Sequence, residues 1–326
     1  MYGDKMEGLE NKALQIIHSL PLKVYSYEPI NWKRVQTTPI FILYAKEGKF
    51  VLKLFSSPRG LWKKTFCYLF GNPALKNQVF IYEYLNQYKF SQFSVPILVA
   101  SDISSFLLFK YIDIEHKGEY EIDINRVVNG LTELYFISST KKKVKGLCNN
   151  IVLSRKPINI LIRRAFGNIR IKYGYGLAIG ILKIVFKCYL RQKPLLVGFL
   201  IHNDFHHNNI FFDKDGNFYI SDFENSVFED RWILLDIVHY SVGTQNFSIN
   251  TFAIKSFILK FFEKNADLNI NLNAQLLMAF LLRISQMVVS TVPPEDVQKR
   301  YFNFLSNVLL NGENFDRWVS KNFKGC

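Results

Sequence analysis

The sequence predicts an α+β chain of two lobes: a small β-rich N-terminal lobe over residues 1–112 and a larger, mainly helical C-terminal lobe over residues 113–326. Three observations predict it. Runs that alternate or stay apolar, as strands do, crowd into the first lobe. Helical spacing dominates the chain after it. Near residue 200 an apolar strand, a tight loop and two further strands separated by a Lys-Asp-Gly turn follow one another.

In order, residues 1–20 carry Ala13, Ile16, Ile17 and Leu20 at helical spacing, and residues 23–30 and 39–44 read as strands. The Glu47-Gly48 turn leads into Phe50-Val51-Leu52-Lys53-Leu54-Phe55. A lysine inside such a strand is costly unless it meets an anion; a lysine on an edge strand pointing to water is the other reading. Between residues 48 and 101 the single acidic residue is Glu83, in a helix-like stretch with Val79, Tyr82 and Leu85 along one face. A helix-borne carboxylate partner for Lys53 nearby in sequence is therefore Glu83, with a solvated helix face as the alternative. Residues 105–112 read as the last strand of the small lobe and a hinge. Residues 125–138, 158–172, 177–191, 252–262, 274–289 and 296–310 fit helices, Pro293-Pro294 separating the last two. Asp236 begins a helix in the apolar run 232–238. Buried there it needs donors, which the backbone amides of the loop at 201–209 can supply; a wet helix face is the other reading.

The chemistry-bearing stretch is Ile201-His202-Asn203-Asp204-Phe205-His206-His207-Asn208-Asn209-Ile210, followed by Tyr219-Ile220-Ser221-Asp222-Phe223-Glu224. Phosphoryl transfer from ATP needs a carboxylate to receive the acceptor hydroxyl's proton and oxygen ligands for Mg²⁺ at a fixed distance from it. The pattern H-x-D-x-x-x-x-N supplies Asp204 as base and Asn209 as one ligand, and the following hairpin brings Asp222 as the other. This is the catalytic-loop grammar of the kinase fold. A zinc site of His202, Asp204, His206 and His207 is the competing chemistry. The rest of the chain offers it His18, His116 and His239 and no cysteine pair, which leaves His206 and His207 as packing and loop-shaping residues. No G-x-G-x-x-G and no G-x-x-x-x-G-K-[ST] occurs, which argues against Rossmann and P-loop nucleotide sites. The hydroxyls of Thr37 and Thr38 with nearby amides are the candidate phosphate cover. Adenine would lie against the backbone of Lys110, Tyr111 and Ile112.

Apolar residues make up 49% of the chain, with 30 Phe and 17 Tyr, so a bulky aromatic interior is expected. Cys67, Cys148, Cys188 and Cys326 are far apart and read as free thiols in a reducing compartment. The polar first dozen residues are unlike a secretion signal. No window of eighteen uninterrupted apolar residues occurs, so no transmembrane helix is expected, and the expected compartment is the cytoplasm. The net charge is +14, and residues 134–203 hold fourteen Lys and Arg without one Asp or Glu. That block equals the whole excess and implies an anionic partner. An anionic bilayer or glycolipid suits its interleaved Ile, Leu and Phe; a nucleic-acid groove and ordinary solvated helix faces are the alternatives.

On these residues the sequence resembles the kinase-like phosphotransferases typified by aminoglycoside and choline kinases, whose loop reads H-G-D-x-H-x-x-N with a later I-D-F/W-E. Within that superfamily it is most similar to the lipopolysaccharide core heptose kinases. The similarity runs from about Lys53 to Asp236 and includes Tyr68-Leu69-Phe70-Gly71-Asn72-Pro73-Ala74 and Val95-Pro96. The resemblance implies a protein-kinase-like fold using ATP and Mg²⁺. Lys53 would bind the phosphates and Glu83 would orient it. Asp204 would be the base, Asn209 and Asp222 would hold Mg²⁺, Asp236 would brace the loop, and His202 and Glu224 would support it. Asn203 stands where glycine is usual, Glu224 replaces the glycine of protein kinases, and no A-P-E segment or long activation loop lies between Asp222 and Trp232. The expectation is a kinase for a heptose hydroxyl of the lipopolysaccharide inner core. It would work peripherally at the cytoplasmic face of the inner membrane of a Gram-negative bacterium, with the core glycolipid and the anionic membrane as partners and no nucleic acid. The alternatives are a soluble kinase for an aminoglycoside, choline or another small alcohol, and a non-catalytic membrane- or RNA-binding protein.

Overall fold

A computed structural model describes residues 3–30, 39–55, 73–115, 123–139, 156–192, 195, 198–268 and 270–324. Thr37, Thr38, most of the 68–74 segment, the lysine run 141–145 and three of the four cysteines lie outside the described residues.

The chain forms two compact units. The first comprises Met1–Lys89, Ser94–Glu115 and Phe212–Glu224; the second comprises Phe90–Phe93, His116–Phe211 and Asn225–Cys326. The boundary is therefore not one cut after residue 112. The hairpin carrying Asp222 and Glu224 belongs to the first unit because its strands pair there. Strand β6 (Ile114–Glu115) pairs with the end of β8 (Ile210–Asp213), and β9 (Phe218–Ile220) follows in the same small sheet. Ser94 exchanges backbone hydrogen bonds with Phe218 and Ile220 at 2.7 and 3.0 Å.

The first unit is an antiparallel sheet of β1 (Val24–Pro29), β2 (Ile40–Ala45), β3 (Gly48–Leu54), β4 (Leu98–Asp102) and β5 (Phe106–Lys110), in the order β1-β2-β3-β5-β4. Side chains alternate between its faces. Phe41, Leu43, Phe50, Leu52 and Leu54 meet Ala13, Ile16, Ile17 and Leu20 of α1 (Gly3–Ser19) in one core. Lys53, between Leu52 and Leu54, is thereby turned to the opposite face. That face carries α2 (Pro73–Leu85), whose Tyr82 packs edge-on against Phe109 at 4.8 Å between ring centroids.

The second unit is helical: α3 (Ile124–Ser138), α4 (Pro157–Arg164), α5 (Arg170–Tyr173), α6 (Tyr175–Arg191), α7 (Leu235–Ser241), α8 (Thr251–Lys264), α9 (Leu272–Val289), α10 (Glu295–Phe304) and α11 (Gly312–Asn322). Two short strands, β7 (Phe199–Ile201) and β10 (Val227–Glu229), pair antiparallel within it and are buried throughout. Its aromatic core holds Tyr135, Phe199, Phe257 and Phe261 in contact. Helix α9 has the length and apolarity to cross a membrane, but most of it is buried inside this unit. It is a core helix.

Candidate active site

The expected site residues fall into two groups, one in each unit. In the first unit the Lys53 ammonium sits 2.7 Å from Asp222 Oδ1 with only 13% of its side chain exposed. This ion pair answers the question the strand posed: the lysine is on the inward face and meets a carboxylate. The partner is not Glu83. Helix α2 buries Leu75, Gln78, Tyr82 and Leu85 and leaves Glu83 exposed. The polar residues that α2 buries are Asn77 and Gln78, and the Gln78 amide nitrogen lies 3.5 Å from Glu224 Oε2. Asn77 Nδ2 donates to the Glu224 carbonyl at 3.4 Å. The sequence carried this signal, since Gln78 shares the spacing of Tyr82 and Leu85.

Asp222 has φ +61°, a left-handed conformation that a non-glycine residue seldom adopts without support from its surroundings. Tyr82 supplies that support. Its hydroxyl accepts the Asp222 N–H at 3.0 Å, and its ring meets Phe223 at 5.3 Å. Burial, then the Asp222 charge, push the Tyr82 phenol far above its ordinary pKa, so it stays neutral. At the expected hinge, the amides of Lys110 and Tyr111 donate to the carbonyls of Ile97 and Lys49. An adenine would therefore have to use carbonyls there or the neighbouring Ile112.

In the second unit the loop after β7 hangs from Asp236. This side chain is fully buried, and its carboxylate receives the His202 N–H at 2.6 Å, the Asn203 N–H at 2.7 Å and the Tyr135 hydroxyl at 2.9 Å. Burial raises the Asp236 pKa; the donated hydrogen bonds oppose that rise. All three partners present hydrogen to it, so the ionised form is the one the pocket satisfies. Asn203 has φ +64°, which turns the chain sharply just ahead of Asp204. Asparagine is among the few residues that tolerate this where glycine is usual. Its side chain donates to the Asn225 carbonyl at 3.0 Å, and Asn225 Nδ2 reaches back to Asp204 Oδ2 at 3.4 Å. Ser226 Oγ donates to the His202 carbonyl at 3.1 Å, and Phe205 is buried as a plug.

Asn209 Nδ2 donates to the Asp204 carbonyl at 2.9 Å, which fixes the loop's width and makes Oδ1 the atom able to serve a cation. His206 Nδ1 accepts the Asn208 N–H at 3.2 Å, so the neutral ring carries its proton on Nε2, 3.6 Å from Asp204 Oδ1. Burial is the main cause that lowers the His206 pKa, against the raising effect of Asp204. Among the described residues no three His, Cys, Asp or Glu side chains gather to hold a metal ion, and His206 shapes the loop.

Asp204 is 29% exposed and has further basic neighbours that sequence reasoning passed over. Arg164 and Arg283 both lie in its electrostatic range. Arg283 had a visible signal, as the single charged residue in the apolar sequence of α9.

The fold is shared with solved kinase structures. The aminoglycoside phosphotransferase APH(2")-IIa, in its ternary complex with streptomycin and ATP, matches 92% of this chain over 96% of its own length with a TM-score of 0.60 and 13% identity. Choline kinase LicA from Streptococcus pneumoniae matches 93% of this chain over 99% of its own, with a TM-score of 0.59 and 13% identity. ADP-bound APH(2'')-Ib matches 94% over 96%, with a TM-score of 0.56 and 15% identity. No protein-family model and no curated protein sequence matches the chain.

Proposed function

We propose that the chain is an ATP- and Mg²⁺-dependent phosphotransferase that phosphorylates a sugar hydroxyl of the lipopolysaccharide inner core, a heptose, from the cytoplasmic side of an anionic membrane. The observation that carries the phosphotransferase reading is the Lys53–Asp222 pair: a strand lysine held against a carboxylate whose backbone is locked left-handed. A metal-triphosphate provides a partner for each of these charges. Lys53 takes the phosphates. Asp222 in the first unit and Asn209 in the second each carry a hard oxygen donor of the kind that suits Mg²⁺, and the ion would neutralise phosphate charge when bound. Asp204, held on a loop anchored by Asp236, receives the proton of the acceptor hydroxyl.

The anionic, membrane-borne acceptor is supported by the surface of the basic segment. On α6, Tyr175, Ile179, Lys183, Phe186 and Leu190 form an exposed stripe at spacings of three and four, flanked by exposed Lys187 and Arg191. Exposed Phe166 and Ile171 precede it. Apolar side chains between cations, with no carboxylate in the segment, fit the headgroup region of an anionic bilayer. A cationic acceptor would call for further carboxylates acting with Asp204, whereas the charges that act with it are those of Arg164 and Arg283.

The test is transfer of labelled phosphate from Mg-ATP to purified core-truncated lipopolysaccharide, with Asp204→Asn as control. Label in the glycolipid with the wild type alone is the expected result. ATP turnover with no label in the glycolipid would replace it by a small alcohol. Bound ATP with no turnover would end the enzymatic reading.

A further inference from the structure

The second unit buries more positive charge than its own hydrogen bonds explain. Arg283 is 2% exposed in the middle of α9. Its Nη1 reaches Gln286 Oε1 at 3.2 Å and its Nη2 the Val242 carbonyl at 3.4 Å, while Nε is buried without a hydrogen-bond partner. Arg164 ends α4, at the start of a π-helical turn (Ala165–Ile169), and donates from Nη1 to the Leu282 carbonyl at 2.6 Å and to Ser285 Oγ at 3.4 Å. His239 on α7 is 4% exposed, and neither of its ring nitrogens has a hydrogen-bond partner.

These groups act on one another. Burial, then the charge of Arg283, pull Arg164 down to about 10; burial likewise pulls Arg283 to about 10, with Asp204 opposing. Burial, then Arg283 and Arg164, hold His239 well below its ordinary range and therefore neutral. Among the described residues, Asp204 bears the carboxylate that acts on both guanidiniums. Buried Arg283 and partly buried Arg164 thus both feel the charge of one carboxylate, which has Asn225 and His206 beside it. Two buried N–H donors, Arg283 Nε and one on His239, stand without acceptors. Burying a charge with incomplete pairing is costly, and guanidinium forks match oxyanions in planar geometry.

The geometry points to an oxyanion subsite formed by Arg283, Arg164 and His239 beside Asp204, which takes a phosphate or carboxylate group of the acceptor molecule. It would hold that group while Asp204 faces the hydroxyl, and it defines the substrate class as anionic alcohols. The assignment rests on Asp204 being the base in the proposed phosphotransferase; the binding itself does not.

The test uses the full chain carrying Lys53→Met, so that the lysine of the other unit contributes nothing, with inorganic phosphate as probe in a chloride buffer. Binding is read by calorimetry and by the rise in melting temperature. Phosphate should bind, and Arg283→Gln should weaken binding about ten- to a hundredfold, the worth of charged hydrogen bonds. Should that protein not fold, Arg164→Gln and His239→Asn should each weaken binding severalfold. Acetate displacing phosphate would identify a carboxylate as an accepted group, and failure to displace it would restrict the group to phosphate. No phosphate binding by the parent, or equal binding by all variants, overturns the subsite. ADP binding with Lys53 intact is scored separately. Its absence would remove the kinase reading and leave the phosphate result standing.

Discussion

Replacing Asp236 by asparagine isolates the anchor of the loop that carries Asp204. The carboxylate is fully buried and receives three hydrogen bonds, His202 N–H and Tyr135 O–H on Oδ2 and Asn203 N–H on Oδ1. Whichever position the new NH₂ group takes, it opposes a backbone N–H that has no water to turn to. One orphaned donor costs about 1–3 kcal/mol, and the remaining bonds lose their charge assistance, worth roughly 1 kcal/mol more. A loss of about 3 kcal/mol follows, near a hundredfold in the folding equilibrium. Tyr135→Phe removes one donor and leaves both backbone bonds in place, so it should cost about 1 kcal/mol. Urea unfolding followed through tryptophan fluorescence, to which buried Trp232 contributes, measures both, and phosphate transfer by the same proteins shows whether the loop still presents Asp204. If Asp236→Asn lies within 1 kcal/mol of wild type, or costs no more than Tyr135→Phe, the clamp does not hold the loop and the argument built on it is wrong.

Other outcomes follow from the same geometry. Lys53→Met should weaken ADP binding about ten- to a hundredfold by titration, while Glu83→Ala changes it less than about twofold; a Glu83 effect as large as that of Lys53 would reject the Asp222 pairing as the working one. His239 is depressed in the fold, so the stability it contributes is present above its ordinary value of 6.5 and declines as the pH falls below it. The slope is at most about 1.4 kcal/mol per pH unit, and His239→Asn in phosphate-free buffer should flatten it. Equal slopes from pH 7.5 to 5 for both proteins would mean the imidazole is not buried neutral. Ile179→Glu or Leu190→Glu should reduce sedimentation with anionic vesicles about tenfold and leave ADP affinity unchanged. Identical sedimentation of wild type and variants would put the membrane contact elsewhere.

What the sequence by itself determined was local. The Asp204-to-Asn209 spacing, the turn at Lys214-Asp215-Gly216 and the alternation around Lys53 each depend on a few consecutive residues, and local patterns fix them. The helices of the second unit were legible for the same reason, as was the need of Asp236 for donors. The acid-free run over residues 134–203 was likewise legible as a charge pattern, and it motivates the anionic acceptor proposed above. Tertiary structure decided which distant groups meet. Lys53 finds a carboxylate 169 residues away and not the one on the next helix, because the rotation of α2 is set by what it packs against: Tyr82 must cover Phe109 and Phe223, which places Gln78 inside and Glu83 in water. The short strands β4 and β10 were not legible, being brief runs whose partners β5 and β7 complete them. The left-handed backbone of Asp222 likewise depends on a tyrosine hydroxyl from α2. Arg283 looked like an interruption in an apolar helix. Only packing brings its helix against those of Arg164 and His239, since a charge's cost or use depends on the groups around it, and Arg164, His239 and Asp204 come from three other stretches of chain.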